Sequence, residues 1–289
     1  MKLLRMKVVL AAIDYDDASH AVLEAARALA DAGGADLHAV HVDTPSPGAR
    51  KAGAQSSIDT AVALLERANV PIDRGRVHVI AGEPVSVMRD LADRVGADVI
   101  VLGPHREARG TDAYLGGTAV AIATTSSAPC LIVTRGLRLP LRRVLVPVDL
   151  SDTARGALVV ALSWSSALRG GRGTPTELTA LYVAQSDGTA GATPSAEEAL
   201  TAELDGVRRE AGSWAGVVID GVTVAGTDVA GVIADRARDL RADLVVLGTR
   251  GAGLDAVGRL GSVSAEVSRR VDAPVLLVPP AVWTAIGNR

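Results

Sequence analysis

Short apolar runs alternate with amphipathic stretches along the whole chain. Val8–Ile13, Asp36–Val42, Val77–Ile80, Val99–Leu102 and Cys130–Val133 are runs of strand length. Between them, Ser19–Asp31, Ile58–Ala68, Val85–Val95 and Thr118–Thr125 read as helices, the first alanine-rich and ended by Gly33-Gly34. Thr44–Ser57 is polar and rich in Pro, Gly and Ser, which predicts a loop. Near-continuous apolar strands separated by helices predict a parallel sheet covered on both faces.

The pattern then repeats. Val8–Asp14 returns as Val144–Asp149, which sets Asp14 against Asp149 at an offset of 135. Asp98–Gly103 returns as Asp243–Gly248, and Ala128–Val133 as Ala273–Val278, both at an offset of 145. Matched strands in one order over so long a period imply two tandem domains rather than a solenoid array. We place them at 1–137 and 138–289, joined through a short linker at Arg135–Arg142. Gln185–Ser195, rich in Gly, Thr and Ser, is the expected variable and mobile segment of the second half. Each half is then an α/β domain with about five strands in a doubly wound sheet. Such a sheet binds ligands beyond the strand C-termini. Asp14, Gly103, Asp149 and Gly248 all fall there.

Composition narrows the function classes. Aromatic residues make up 2% of the 289 residues and Phe is absent, which leaves little to stack on single-stranded nucleic acid. A net charge of -3 argues against a broad footprint on DNA or RNA. The one cysteine, Cys130, sits in an apolar run, where a buried inert thiol is the ordinary case. Val8–Ile13 is too short for a signal sequence, and Pro279-Pro280 breaks the last apolar stretch, so no bilayer span and a cytoplasmic address are expected. Trp283 is a tail anchor or an interface residue.

The chemistry concentrates in Gly248–Ser264. This stretch follows a strand and precedes an apolar stripe at Val263, Val267 and Val271, so it reads as strand, glycine-bearing loop and helix start. Backbone N–H groups at a positive helix end suit a phosphate. Gly251–Ala256 formally matches a dinucleotide pattern, but the helix starts too late and the next strand lacks the acidic residue. No Walker A sequence occurs.

The spacing Gly248-x2-Gly251-x9-Gly261-Ser262 resembles the ATP-binding signature of the universal stress protein family. The resemblance covers essentially the whole chain as a tandem pair. It implies a flavodoxin-like or Rossmann-like fold that binds ATP, with Mg2+. By that resemblance Asp149, with Pro147 and Val148, approaches ribose or metal. Backbone at Tyr182 and Val183 meets adenine, while Gly248, Arg250, Gly251, Gly261, Ser262, Val263 and Ser264 hold ribose and phosphates. It also implies an intrachain pseudo-dimer through the last strand of each half, and it leaves pairing of chains into a homodimer open.

The first half departs from the signature. His105, Arg106, Gly116, Gly117 and Ala119 stand at the places of Arg250, Gly251, Gly261, Ser262 and Ser264. Asp14, Gly103, Gly116 and Thr118 are therefore the weaker candidates, and the first half is expected to have lost ATP or to bind it weakly. His105, Arg106 and Arg109 read as a solvated loop. No nucleophile elbow, metal-ligand set or paired carboxylates stand out, so no catalytic residue is named. The leading reading is an ATP-binding stress-response regulatory protein. The alternatives are a weak ATPase or phosphotransferase and a nucleotide-independent scaffold.

Overall fold

The computed structural model describes residues 6–15, 18–44, 54–103, 116–134, 136–170, 173–184, 194–211, 214, 216–251 and 259–282. The first half runs β1 (Val8–Ala12), α1 (Ala18–Gly33), β2 (Asp36–Asp43), α2 (Ala54–Arg67), β3 (Val77–Ala81), α3 (Pro84–Val95), β4 (Val99–Leu102), α4 (Gly117–Thr125) and β5 (Cys130–Ile132). The second repeats it as β6 (Arg143–Val148), α5 (Asp152–Ala167), β7 (Thr176–Ala184), α6 (Pro194–Ala211), β8 (Val217–Ala225), α7 (Val229–Leu240), β9 (Leu244–Gly248), α8 (Ser262–Arg270) and β10 (Val275–Val278). Helix α2 starts a turn earlier than the polar composition suggested, because Ala and Gln favour helix. Most of Gln185–Ser195 lies outside the described residues, as do His105, Arg106, Arg109 and Trp283.

All strands join one ten-stranded sheet in the order β3-β2-β1-β4-β5-β10-β9-β6-β7-β8. Pairing is parallel within each half, and the halves meet antiparallel at β5 and β10. There Leu276 lies opposite Leu131 and Leu277 opposite Cys130, all fully buried. The thiol of Cys130 is pushed far above its ordinary range by burial alone, so it packs as an apolar group.

Residues on alternate sides of the strands feed two cores. One holds Val9, Ala11, Leu131, Val146 and Leu276 with α1 and α5 residues such as Leu23 and Leu158; the other holds Leu10, Ile100, Val245 and Leu277 with Leu91 of α3 and Ile233 of α7. The helices between the strands therefore cover both faces, as a doubly wound sheet requires.

The duplicated aspartates before β4 and β9 have a shared job. Asp98 accepts from the backbone N–H groups of Lys7 and Val8 at 2.7 and 3.0 Å, and Asp243 accepts from those of Arg142 and Arg143 at 2.9 Å each. Each carboxylate staples the start of a central strand to its neighbour. Helix ends are set equally locally. Glu83 caps α3 before Pro84, and Gly96, at φ 66°, closes it in the left-handed conformation. Ser151 caps α5 and Asp228 caps α7.

Candidate functional site

At the C-terminal ends of β6, β7 and β9 a cleft of about 480 Å³ opens. It is lined by Pro147, Val148, Asp149, Tyr182, Val183, Gly248, Arg250, Gly251, Gly261, Ser262, Val263 and Ser264, so the structure gathers every second-half position singled out in the sequence. The chain crosses between sheet faces here, which leaves the strand ends open.

Asp149 leaves β6 and is held by its own loop. Its Oδ1 accepts from the Ser151 backbone N–H at 3.1 Å and the Ser151 hydroxyl at 2.5 Å. Its Oδ2 faces the glycine loop, where a Cβ on Gly251 would lie only 2.6 Å away. Glycine at 251 therefore makes room for the Asp149 carboxylate. Gly248 has a different reason, since a Cβ there would meet Thr153 Cγ2 at 2.7 Å and the Thr153 carbonyl at 3.2 Å. The start of α5 packs directly on the end of β9.

The glycine loop is closed at its base. The Gly261 N–H donates to the Thr249 carbonyl at 2.9 Å, and the Thr249 N–H donates to the Val278 carbonyl at 3.0 Å. The Ser264 hydroxyl, 7% exposed, donates to the Gly248 carbonyl at 2.8 Å. Ser264 therefore spends its proton on joining α8 to β9, while Ser262 stays exposed at the helix start.

Helix α8 has no side-chain cap. Gly261 occupies the N-cap, and the first intrahelical bond runs from the Ala265 N–H to the Gly261 carbonyl. The N–H groups of Ser262, Val263 and Ser264 precede that bond at the positive helix end. Arg250 is the one cation lining the cleft among the described residues, and its buried Nε has no hydrogen-bond partner among them. An anionic oxygen would satisfy that donor. The apolar part of the lining comprises Leu181, Val183, Leu247 and, from α7, Val229 and Ile233.

The sequence reasoning missed Leu181, Leu247, Ala154, Val229 and Ile233. Val229 and Ile233 are spaced i, i+4 just after the Asp228 cap, which marks a helix face. What that face looks onto is a matter of tertiary packing.

The first half is built differently at the corresponding place. Ala12 pairs with Val40 as Pro147 pairs with Leu181, so His41 occupies the position of Tyr182. His41 Nδ1 lies 3.1 Å from the Ile13 carbonyl and 3.7 Å from Asp14 Oδ1, and its ring centroid is 4.1 Å from that of Tyr15. The Asp14 side chain is 78% exposed. Burial, then Asp43 and Asp14, raise the Tyr15 hydroxyl above its ordinary value. Gly103 follows β4, Gly116 is the buried N-cap of α4, and Thr118 is exposed. Ala119 carries no hydroxyl to make the Ser264 bond.

The model of the Universal stress protein family matches this chain twice, over residues 6–134 and 140–279. The chain belongs to that family. Among curated proteins, Universal stress protein A homolog 1 of Coxiella burnetii is 32% identical over 140 residues, which is 44% of this chain and 95% of that protein. Among solved structures, a universal stress protein from Archaeoglobus fulgidus DSM 4304 superposes with a TM-score of 0.66 at 22% identity, covering 94% of this chain and 98% of that one. A putative universal stress protein from Pseudomonas aeruginosa UCBPP-PA14 gives 0.68 at 13% identity, with 98% of each chain covered. The fold is therefore that of a tandem universal stress protein, flavodoxin-like and doubly wound in each half. No helix among the described residues is long and apolar enough to cross a membrane. No cluster of three or more metal-ligating side chains occurs among them.

Proposed function

We propose that the second half of the chain holds one adenine nucleotide, ATP by preference, and that occupancy of this cleft is the signal the protein reports in a stress response. The observation that carries the reading is the mixed lining of the cleft. The lining combines the apolar side chains of Leu181, Val183, Val229 and Ile233 with an uncapped helix start and the unpartnered Arg250 Nε. A flat apolar base and a phosphate chain need those two environments side by side. Asp149 lines the same cleft with one carboxylate oxygen fixed by Ser151. A magnesium ion arriving with the phosphates would need few protein ligands, and Asp149 would supply one.

The same inventory favours binding over turnover. Asp149 is the only carboxylate lining the cleft among the described residues, and no histidine or cysteine joins it. A phosphate cradle without a positioned base makes a holder rather than a hydrolase. The first half, with His41 and Tyr15 at the strand ends and Ala119 at the helix start, is proposed to carry no comparable site.

Calorimetric titration of Mg-ATP into the nucleotide-stripped chain tests this. One site per chain, lost in Gly261→Glu, is the expected result. Two sites would overturn the assignment of the first half, and none at millimolar ATP would leave the scaffold reading.

A further inference from the structure

The outer edge of the first half carries a feature that its repeat lacks. Strand β3 is the terminal strand of the sheet and pairs only with β2. His38 on β2 and His78 on β3 are both half-buried, and His38 Nδ1 lies 3.0 Å from His78 Nε2. The ring centroids are 5.3 Å apart and the planes differ by 4°. That separation equals the nitrogen gap plus the two ring radii, so the rings meet edge to edge in nearly one plane. This is a linear N–H···N hydrogen bond, in which one neutral imidazole donates and the other accepts. A shared divalent ion fits poorly. Bonds of about 2.0–2.1 Å at tetrahedral angles would hold the two nitrogens farther apart, with lone pairs converging off the line between them.

The charges around the pair come from three elements. Asp36, two residues before His38 on the same strand face, pairs with Arg76 at 2.8 Å just ahead of β3. Arg94 approaches from the last turn of α3. Burial, then Arg76, lowers the His38 pKa against a smaller opposing effect of Asp36. Burial, then His38 and Arg94, lowers that of His78. A first added proton leaves the bridge intact, because an imidazolium still donates to a neutral ring. A second puts N–H against N–H and breaks it.

We propose that His38 and His78 form a proton-sharing clasp on the edge strand β3, which opens when both rings become charged in acid and makes the β2–β3 edge an acid-responsive segment. The clasp lies at the β3 edge of the sheet, five strands or more from β9, β6 and β7, and neither histidine lines the cleft, so it stands independently of the nucleotide reading. The sign follows from linkage. Both rings are held neutral in the fold, while released rings take up protons below about pH 6.5. The hold on β3 is therefore complete above that pH and is lost as the pH falls.

The second half supplies the control. Leu10 pairs with His38 where Leu145 pairs with Thr179, and Val40 pairs with His78 where Leu181 pairs with Val222. The H38T/H78V variant thus installs residues the same fold already carries. Amide hydrogen exchange of the full chain, corrected for intrinsic rates, would be compared at pH 7.5 and pH 5 with β8 as internal reference. Wild type should lose protection at β3 by about tenfold or more relative to β8, since up to two protons are taken up on opening. H38T/H78V should show little such loss. Nitrogen-detected NMR of the wild-type rings should find both neutral at pH 7 and both charged near the pH at which β3 loosens. An equal loss of β3 protection in the variant, or rings that stay neutral down to pH 4, would overturn the proposal.

Discussion

At the scale of single residues, the cleft explains its glycines by what touches them. Gly251 is glycine because the Asp149 carboxylate occupies the space of its Cβ. Gly251→Ala should therefore displace that carboxylate and weaken nucleotide binding about as much as Asp149→Ala does, with each changing the melting temperature little. Equal affinity of Gly251→Ala and wild type by calorimetry would rule this out. Ser262 and Ser264 look alike in the sequence and differ in the fold. Ser264→Ala removes a buried hydrogen bond to Gly248 and should cost about 1–2 kcal/mol in urea unfolding. Ser262→Ala, at an exposed position, should change stability by less than about 0.5 kcal/mol. The hydroxyl pattern was legible from the chain alone. Its division into a structural and an exposed member was not, because the Gly248 carbonyl is 16 residues away.

Elements are fixed by short-range chemistry, and their acid response follows from it. Glu83 accepts from the Val85 and Ser86 backbone N–H groups at 3.0 and 2.8 Å, and Asp228 caps α7 while pairing with Arg270 at 2.6 Å. The Ser86 and Val85 backbone bonds, in that order, lower the pKa of Glu83; the Arg270 bond and then the Gly231 bond lower that of Asp228. A carboxylate held low in the fold stabilises above its unfolded value of about 4 and ceases to as pH falls through its folded value. The melting temperature of Glu83→Gln and Asp228→Asn should accordingly fall less steeply than wild type between pH 5 and 3. Parallel curves would show that these caps do not govern the acid limb. The Asp243 staple belongs to the same scale. Asp243→Ala strands two backbone donors at the start of β6 and should cost about 1–2 kcal/mol, read from urea midpoints.

The whole molecule is one sheet made from two copies of one unit, joined at the β5–β10 seam. Leu131 and Leu276 face each other there with no exposure. Leu276→Asp would bury an unpaired charge at the junction and should destabilise the chain by more than about 4 kcal/mol, enough to abolish cooperative unfolding. A folded variant with a near-native melting curve would show that each half stands alone. The copies have diverged at both sheet ends. The glycine-loop signature is present in the second half, and the histidine pair in the first.

Alternation of apolar runs and helices, the duplicated strands, the Asp149 strand end and the Gly248–Ser264 loop were all determined by the sequence, because each depends on neighbours a few residues apart. The family followed from that spacing. The family resemblance already implied that the last strands join the halves, and the tertiary structure decided the antiparallel register that sets Leu131 against Leu276. Packing alone brought Val229 and Ile233 to the cleft, because a helix face encodes its apolarity and not its partner. The meeting of His38 with His78 was equally invisible. It requires the register of two strands separated by a helix, and register is set by the whole core rather than by either histidine.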